Sequence, residues 1–436
     1  MKIIHVFLFV LISNYCFSQD TVHQFQINYY QQKIFKYLDK EKVLSGHYKM
    51  DKDGIKIFAT SSDKINNKTE FILDWEKLEA YKSQLKKCLW KDEITIYKQG
   101  KYSGIIPCQR IDGKKDVYEY AILPEKKLQG YKIAIDAGHI AGDFETGRME
   151  MKYLNFKKDS ILGLPDSIQI AEGVLTFATA QLLKEKLEEQ GAIVFLTRKK
   201  NGHTAFGKTF DEWLKNDYKK TIDSLFNEGR FTAEKKNWYL SAKRTRREKF
   251  SLIFKDIELA QRAEIINNFH PDLTVIVHYN VDETNTGWTK PGTKNMNMTF
   301  IGGAFMGSDL SSPEKRFEFL RMIITDDIEQ SIKLSSAVVT SLEKNLKVKT
   351  AGPNDAKYLR EGCIATSEKG VYCRNLQLTR YVHGPLVYGE TLYQDNINEC
   401  KALNKEVDKT RNERVKEVAD AYFQGVLNYV SSFPSK

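Results

Sequence analysis

The sequence predicts an α/β fold: a mainly parallel sheet flanked by helices, preceded by a small mixed α+β domain and interrupted by a helical insertion. Three observations carry this reading. From Lys132 onward, buried-type apolar runs alternate with stretches of helical spacing, the pattern of βα units. Over residues 19–125, two apparent strand pairs about glycine turns flank a single helical stretch. Over residues 199–256, charged and aromatic residues around "KKNWYLSAKRTRREKF" read as helices set between core elements.

The chain opens "MKIIHVFLFVLISNYCFSQD", one lysine followed by an apolar run of leader length, which predicts a secretory signal over residues 1–18. Cleavage after Ser18 is expected. No later apolar run is long enough to span a bilayer, so the mature protein is expected outside the cytoplasm, periplasmic or secreted. The formal net charge is +10 and falls by one on losing Lys2. A basic exported protein favours anionic envelope polymers over nucleic acid. The segment Lys243–Lys249 reads as a solvated helix face or, less simply, a contact for such a polymer. Five cysteines follow the leader, and none has the spacing of a Cys-x-x-Cys zinc site. Cys88–Cys108 and Cys363–Cys373 are plausible pairs that leave Cys400 free.

Within 19–125, "HYKMDKDGIKIFAT" and "DEITIYKQGKYSGIIPC" each resemble two strands about a glycine, and "DWEKLEAYKSQLKKCLW" has helical spacing. No ligand cluster or acid–base pair stands out there. A second, larger domain is expected over residues 130–436. Its first strand, Lys132–Ile135, runs into Asp136, Gly138 and His139. Next, Asp166 and Gln169 resemble a capping box for a helix that stops at Gly191, ahead of the strand "AIVFLT". A second unit has a helix to about Asn268, a turn at Pro271 and the strand Leu273–Val277 ending at His278. The "GGAFMG" run at 302–307 lacks a phosphate-loop lysine and reads as a turn. A helix over about 326–345, the strand "PLVYG" before Glu390 and a last helix over about 399–431 complete the order.

Open α/β sheets bind ligands outside the carboxyl ends of their strands. His139, His278 and Glu390 fall at or just past such ends, and Glu172 opens a neighbouring helix. Two imidazoles and a carboxylate with one open position suit a catalytic Zn²⁺. A second carboxylate can move protons. Asp136 is close enough in sequence to orient a ligand. The remaining histidines (His23, His47, His203, His270 and His383) lack this context, although His383 lies near Glu390.

These segments resemble the zinc-dependent N-acetylmuramoyl-L-alanine amidases of the amidase 3 type over about residues 131–402. "IAIDAGHIAGD" resembles the family's opening, making His139 the first metal ligand. "AEGVLTFATAQLLKEKLEEQGAIVFLTR" is similar to its Glu-led helix, making Glu172 the second. "QRAEIINNFHPDLTVIVHYN" matches an Arg–helix–Asn and His-x-Asn segment, making His278 the third and marking Arg262 and Asn280 as supporting or substrate-facing residues. "GPLVYGETLYQDNINECKAL" resembles the closing segment, whose glutamate, here Glu390, is catalytic. The resemblance implies hydrolysis, by a zinc-bound water, of the amide between N-acetylmuramic acid and L-alanine of the peptidoglycan stem, with Glu390 as base and then proton donor. Trp288, in the loop after His278, is a candidate stacking surface or an ordinary loop aromatic. The chain departs from the family at Ile140 and Ala141, where glycines are usual, and in the long segment before Glu172. Glu145 and Glu150 in that segment are rival carboxylate ligands; Glu172 is preferred for its helix-and-strand context. The insertion is expected to shape or cover the cleft, with a regulatory protein as a partner that moves it. Two other readings use the same residues: a zinc peptidase or amidase on another envelope substrate, and an inactive wall-binding protein.

Overall fold

A computed structural model describes residues 19–105, 126–159, 163, 164, 166–285, 287 and 290–433. The expected leader, Cys108 and Trp288 lie outside the described residues.

After the helix Gln19–Lys33 come β1 (Tyr48–Asp51), β2 (Gly54–Ile57) and β3 (Phe71–Asp74), a three-stranded antiparallel sheet in that order. The first hairpin forms as expected; the second does not, because Trp90–Tyr97 is a helix. Asp92 and Glu93 occupy its first turn, where acids favour a helix. Its buried side meets the helix Pro313–Ile324: Trp90 Nε1 donates to Glu318 at 3.0 Å, and the Tyr97 and Phe317 rings lie 5.7 Å apart. Tertiary burial outweighs the strand preference of Ile94, Thr95 and Ile96. One apolar core joins this region to the edge of the main sheet, including Leu38, Phe71, Tyr81, Ile301, Phe317 and Val371.

The main sheet has seven strands: β4 (Lys132–Ala137), β7 (Ile193–Leu196), β8 (Leu273–Asn280), β9 (Met298–Ile301), β10 (Cys363–Ala365), β11 (Val371–Arg374) and β12 (Leu386–Tyr393). Their order is β10-β11-β9-β12-β8-β4-β7. The run β12-β8-β4-β7 is parallel throughout, while β9 meets β12 antiparallel and β11 meets β10 antiparallel. A small hairpin, β5 (Tyr153–Phe156) with β6 (Ile168–Ala171), stands apart. The expected capping box at Asp166 is therefore not used; residues 168–171 pair with β5 and the helix begins at Glu172.

The helices Glu172–Glu189, Asp327–Leu346 and Glu413–Val430 cover one face of the sheet, burying Leu175, Val338 and Val418 on Val275, Val277 and Val387. The helix Lys255–Phe269 covers the other, with Ala263 and Ile266 against Ile276 and Tyr388. The last helix is two pieces, Ile397–Leu403 and Glu413–Val430, because Asn412 caps the second. The Asn412 side chain accepts from Val415 N and donates to the carbonyls of Ala402 and Lys405.

Cys363 and Cys373 are free thiols, which corrects the expected pair. The register sets Cys363 opposite Arg374 and Ile364 opposite Cys373. That one-residue offset turns the two side chains to opposite faces of the sheet, into separate cores. Cys400 is free, and Cys88 is disulfide-bonded.

Residues 210–254 form the helices Phe210–Asn216, Tyr218–Asn227, Ala233–Leu240 and Arg246–Lys249, and a last turn, Phe250–Phe254, that continues into Lys255–Phe269. They share an aromatic cluster of Phe210, Trp213, Tyr218, Phe250 and Phe254, into which Ile140 and Met149 also pack. The basic run is partly paired internally, Arg246 to Asp211 at 2.7 and 2.9 Å and Arg244 to Glu248 at 2.9 Å. No helix among the described residues is long and apolar enough to cross a membrane.

Candidate metal centre

The site forms where β4, β8 and β12 lie side by side. β4 ends at Ala137, and Gly138 is held by two hydrogen bonds: its N–H donates to Val277 O at 2.9 Å and its carbonyl accepts from Thr176 Oγ1 at 2.6 Å. The glycine is required by space. A Cβ there would lie 2.1 Å from the His278 ring. His139 follows with φ +55°, a left-handed conformation uncommon outside glycine, which turns the chain out of the sheet. The next two amides, of Ile140 and Ala141, both donate to the Glu150 carboxylate, at 3.0 and 2.8 Å. Burial raises the Glu150 pKa to about 7 against the lowering effect of these bonds.

His278 and Glu390 lie within β8 and β12, not beyond their ends, which corrects the sequence reading of both. Parallel register pairs them directly, so their side chains share one face. Two residues back on that face, Tyr388 stacks on His278 with ring centroids 4.5 Å apart and planes 6° from parallel. Glu172, the first residue of its helix, reaches between the histidines. Its Oε1 accepts from His278 Nδ1 at 3.0 Å and from Tyr279 N at 3.2 Å, and it lies 3.5 Å from His139 Nε2. Gln394 Nε2 donates to the other oxygen at 3.3 Å. Each of His139, Glu172 and His278 thus offers one ligand atom, all within 4.8 Å of one another.

Electrostatics prepare these groups for a cation. Burial holds the His139 pKa well below its usual value despite the nearby Glu172 charge, so its ring keeps a lone pair at neutral pH. Burial opposes ionisation of Glu172, but the His139 imidazole and the hydrogen bond from His278 outweigh it and lower its pKa to about 2. A neutral imidazole and an ionised carboxylate are the forms that bind zinc. Glu390 is half-buried, and burial pushes its carboxyl pKa up although His278 pulls it down.

Beneath the site lies a buried ionic group. Asp136 accepts from Thr197 Oγ1 and, at 3.2 Å, from Arg262 Nη1; no hydrogen bond to a histidine is found for it among the described residues. Arg262 also donates to both oxygens of Glu258, at 2.8 and 2.9 Å, and to Ala137 O at 3.0 Å. Arg198 Nε donates to the same carbonyl at 3.0 Å. Removing one member of such a group strands buried charge, so Asp136 and Arg262 fix the end of β4 from below. Asn280 donates to Tyr358 Oη at 3.0 Å rather than to His278. Of the rival carboxylates, Glu145 is exposed beside Arg148, and Glu150 serves the loop amides. His383 lies elsewhere, between Glu93 and Glu318.

Sequence reasoning gave no role to Tyr388, Glu258 or Lys152, all of which line the cleft. Tyr388 was detectable, being two residues before Glu390 on one strand face. The cleft is a cavity of about 310 Å³ whose walls include His139, His278 and Tyr388, with Phe250 and Phe254 from the insertion and Leu376 opposite.

Known proteins resemble this chain as follows. Solved structures similar to it include the CwlD amidase from Clostridioides difficile in complex with the GerS lipoprotein, at 17% identity, 70% of this chain, 100% of that one and TM-score 0.38. The apo N-acetylmuramyl-L-alanine amidase Ami1 from Mycobacterium abscessus follows at 15%, 69%, 99% and 0.36. The catalytic domain of CwlV, an N-acetylmuramoyl-L-alanine amidase from Bacillus (Paenibacillus) polymyxa var. colistinus, gives 14%, 69%, 98% and 0.35. No curated protein matches. A family model described as N-acetylmuramoyl-L-alanine amidase matches residues 133–428, more than half of the chain, and by that match this protein belongs to the amidase 3 family of N-acetylmuramoyl-L-alanine amidases.

Proposed function

We propose that this chain is a zinc-dependent peptidoglycan amidase, acting outside the cytoplasm after loss of a leader within residues 1–18. It cleaves the amide joining N-acetylmuramic acid to L-alanine of the stem peptide. The observation that carries the reading is the convergence of His139, Glu172 and His278 on one point, with Glu390 in register beside His278. Those three residues would hold the cation. When bound, Zn²⁺ supplies Lewis acidity toward the scissile carbonyl and the attacking water.

The protein's own groups do the rest. Glu390, kept from easy ionisation by burial, takes a proton from the attacking water and returns it to the departing alanine nitrogen. Tyr388 packs flat on His278 and fixes its ring plane. The Asp136–Arg262–Glu258 group holds the strand end from which His139 projects.

Metal analysis of the purified protein, followed by incubation with peptidoglycan, tests the reading. About one zinc per chain and release of stem peptides with a free L-alanine amine are expected. His139→Ala and His278→Ala should lose both metal and release. Full activity in either variant would overturn the ligand assignment.

Phe250 and Phe254 in the cleft wall support the further reading that the insertion screens the site until a regulatory protein displaces it. Trp213 packs on Phe254 with ring centroids 4.6 Å apart, and Tyr218 shares the same cluster, so replacing residues 211–249 with a linker removes the support that seats both cleft phenylalanines. That variant should hydrolyse peptidoglycan faster than the parent. An unchanged rate and product pattern would end the idea.

A further inference from the structure

The charged residues of the cleft divide into two groups. Glu150 is taken by two amides, and Glu258 by Arg262 and the Ala205 amide, at 3.1 Å for the latter. Arg262 is taken in turn by Asp136, Glu258 and a carbonyl. Lys152 and Lys255 line the same cavity, and among the described residues neither ammonium has a hydrogen-bond or ion-pair partner.

Lys152 is the more constrained of the two. It follows Met151, which is left-handed at φ +60°, and its own backbone is fixed at both ends. Its N–H donates to Gly147 O at 2.9 Å, and its carbonyl accepts from Glu172 N at 3.1 Å. The side chain is half-buried, and its charge is felt at His139, Glu172 and Glu390. Lys255 is exposed at the rim, one residue beyond Phe254.

A fixed positive charge beside a cation site works against the cation by like-charge repulsion. The placement therefore has an unmet electrostatic requirement: an anion that arrives with the substrate. The stem peptide supplies one. Its second residue is a glutamate joined onward through the side chain, which leaves the α-carboxyl group free, one residue from the scissile amide. In some walls that group is a neutral amide.

Resting on the amidase reading above, we propose that Lys152, assisted by Lys255 at the rim, binds the free α-carboxylate of the second stem residue and makes the enzyme selective for the acid over the amidated stem. Lys152 is a specificity-determining residue here and takes no part in the chemical step. The contact is a charge-assisted hydrogen bond, lost when the carboxylate becomes an amide.

The test compares two disaccharide-tetrapeptide muropeptides that differ only in glutamate or isoglutamine at the second position. Wild-type zinc-loaded protein should cleave the acid with kcat/KM about tenfold or more above the amide, a difference held mainly in KM. Lys152→Met should lose that preference by slowing on the acid alone, Lys152→Arg should keep it, and Lys255→Met should weaken it less. Equal wild-type rates on the two substrates would leave the amidase standing and overturn the proposal. An equal loss on both in Lys152→Met would overturn it too, by assigning the lysine a structural role. Cleavage of neither substrate, by wild type or by the variant with residues 211–249 replaced, would overturn the amidase reading and the proposal with it.

Discussion

Glu390→Gln is expected to retain zinc and to turn over about 10²–10⁴ times more slowly than the parent, the range typical of a lost general base. The substitution keeps size and shape and removes the negative charge together with the capacity to exchange a proton. Glu390 lies inside β12, locked by register to His278 on one side and Met298 on the other, so the amide has no freedom to relocate. Among the described residues no hydrogen bond joins it to Glu172 or to either histidine, and the ligand set should survive. Stopped assays on muropeptides, alongside metal content by mass spectrometry, separate the two effects. A variant with zinc bound and turnover within a few-fold of the parent would remove Glu390 from the chemistry.

Gly138→Ala should be nearly as damaging by a different route. The new methyl carbon would lie 2.1 Å from Cε1 and Nε2 of His278, well inside van der Waals contact. Gly138 cannot retreat, because Val277 and Thr176 hold its N–H and its carbonyl. The His278 ring is held as well, by Tyr388 stacked flat on it and by Glu172, which accepts from its Nδ1 at 3.0 Å. Overpacking of this kind costs about 1–3 kcal/mol of stability. A displaced ligand costs about 10–100-fold in metal affinity, comparable to loss of a supporting partner. The fold should persist, with a lowered melting temperature and an unchanged far-ultraviolet spectrum, while zinc content and hydrolysis collapse. Normal zinc affinity in a folded Gly138→Ala protein would show that His278 is free to move, and that the close approach is without consequence.

How far the site was legible follows from how each part is built. His139, Glu172, His278 and Glu390 could be named because each adjoins a strong local pattern, an apolar strand or a periodic helix. The rule that open α/β sheets bind ligands at the carboxyl ends of their strands then brings them together. What stayed hidden depends on contacts distant in the chain. Nothing near Glu150 says that its carboxylate will meet the amides after His139, since that requires the Phe144–Glu150 helix to fold back on the strand end. From Asp92 to Tyr97 the sequence pattern favours strand, because its β-branched residues are outvoted only by burial of the helix Trp90–Tyr97 against Phe317 and Glu318. The break before Asn412 is a capping decision, made by one side chain with three partners. Cys363 and Cys373 look well spaced for a bridge until pairing register turns them apart.

Ile140 belongs to the aromatic cluster of the inserted helices, while its immediate neighbour His139 faces the cleft. On the proposed reading, two equilibria meet at one peptide unit: seating of those helices, and capture of a cation. Thermodynamic reciprocity governs them. Whatever factor separates the cation affinities of the seated and released forms, the cation must shift the seating constant by that same factor. A chelator titration followed by protease sensitivity of residues 210–249 reads this number directly, without a substrate.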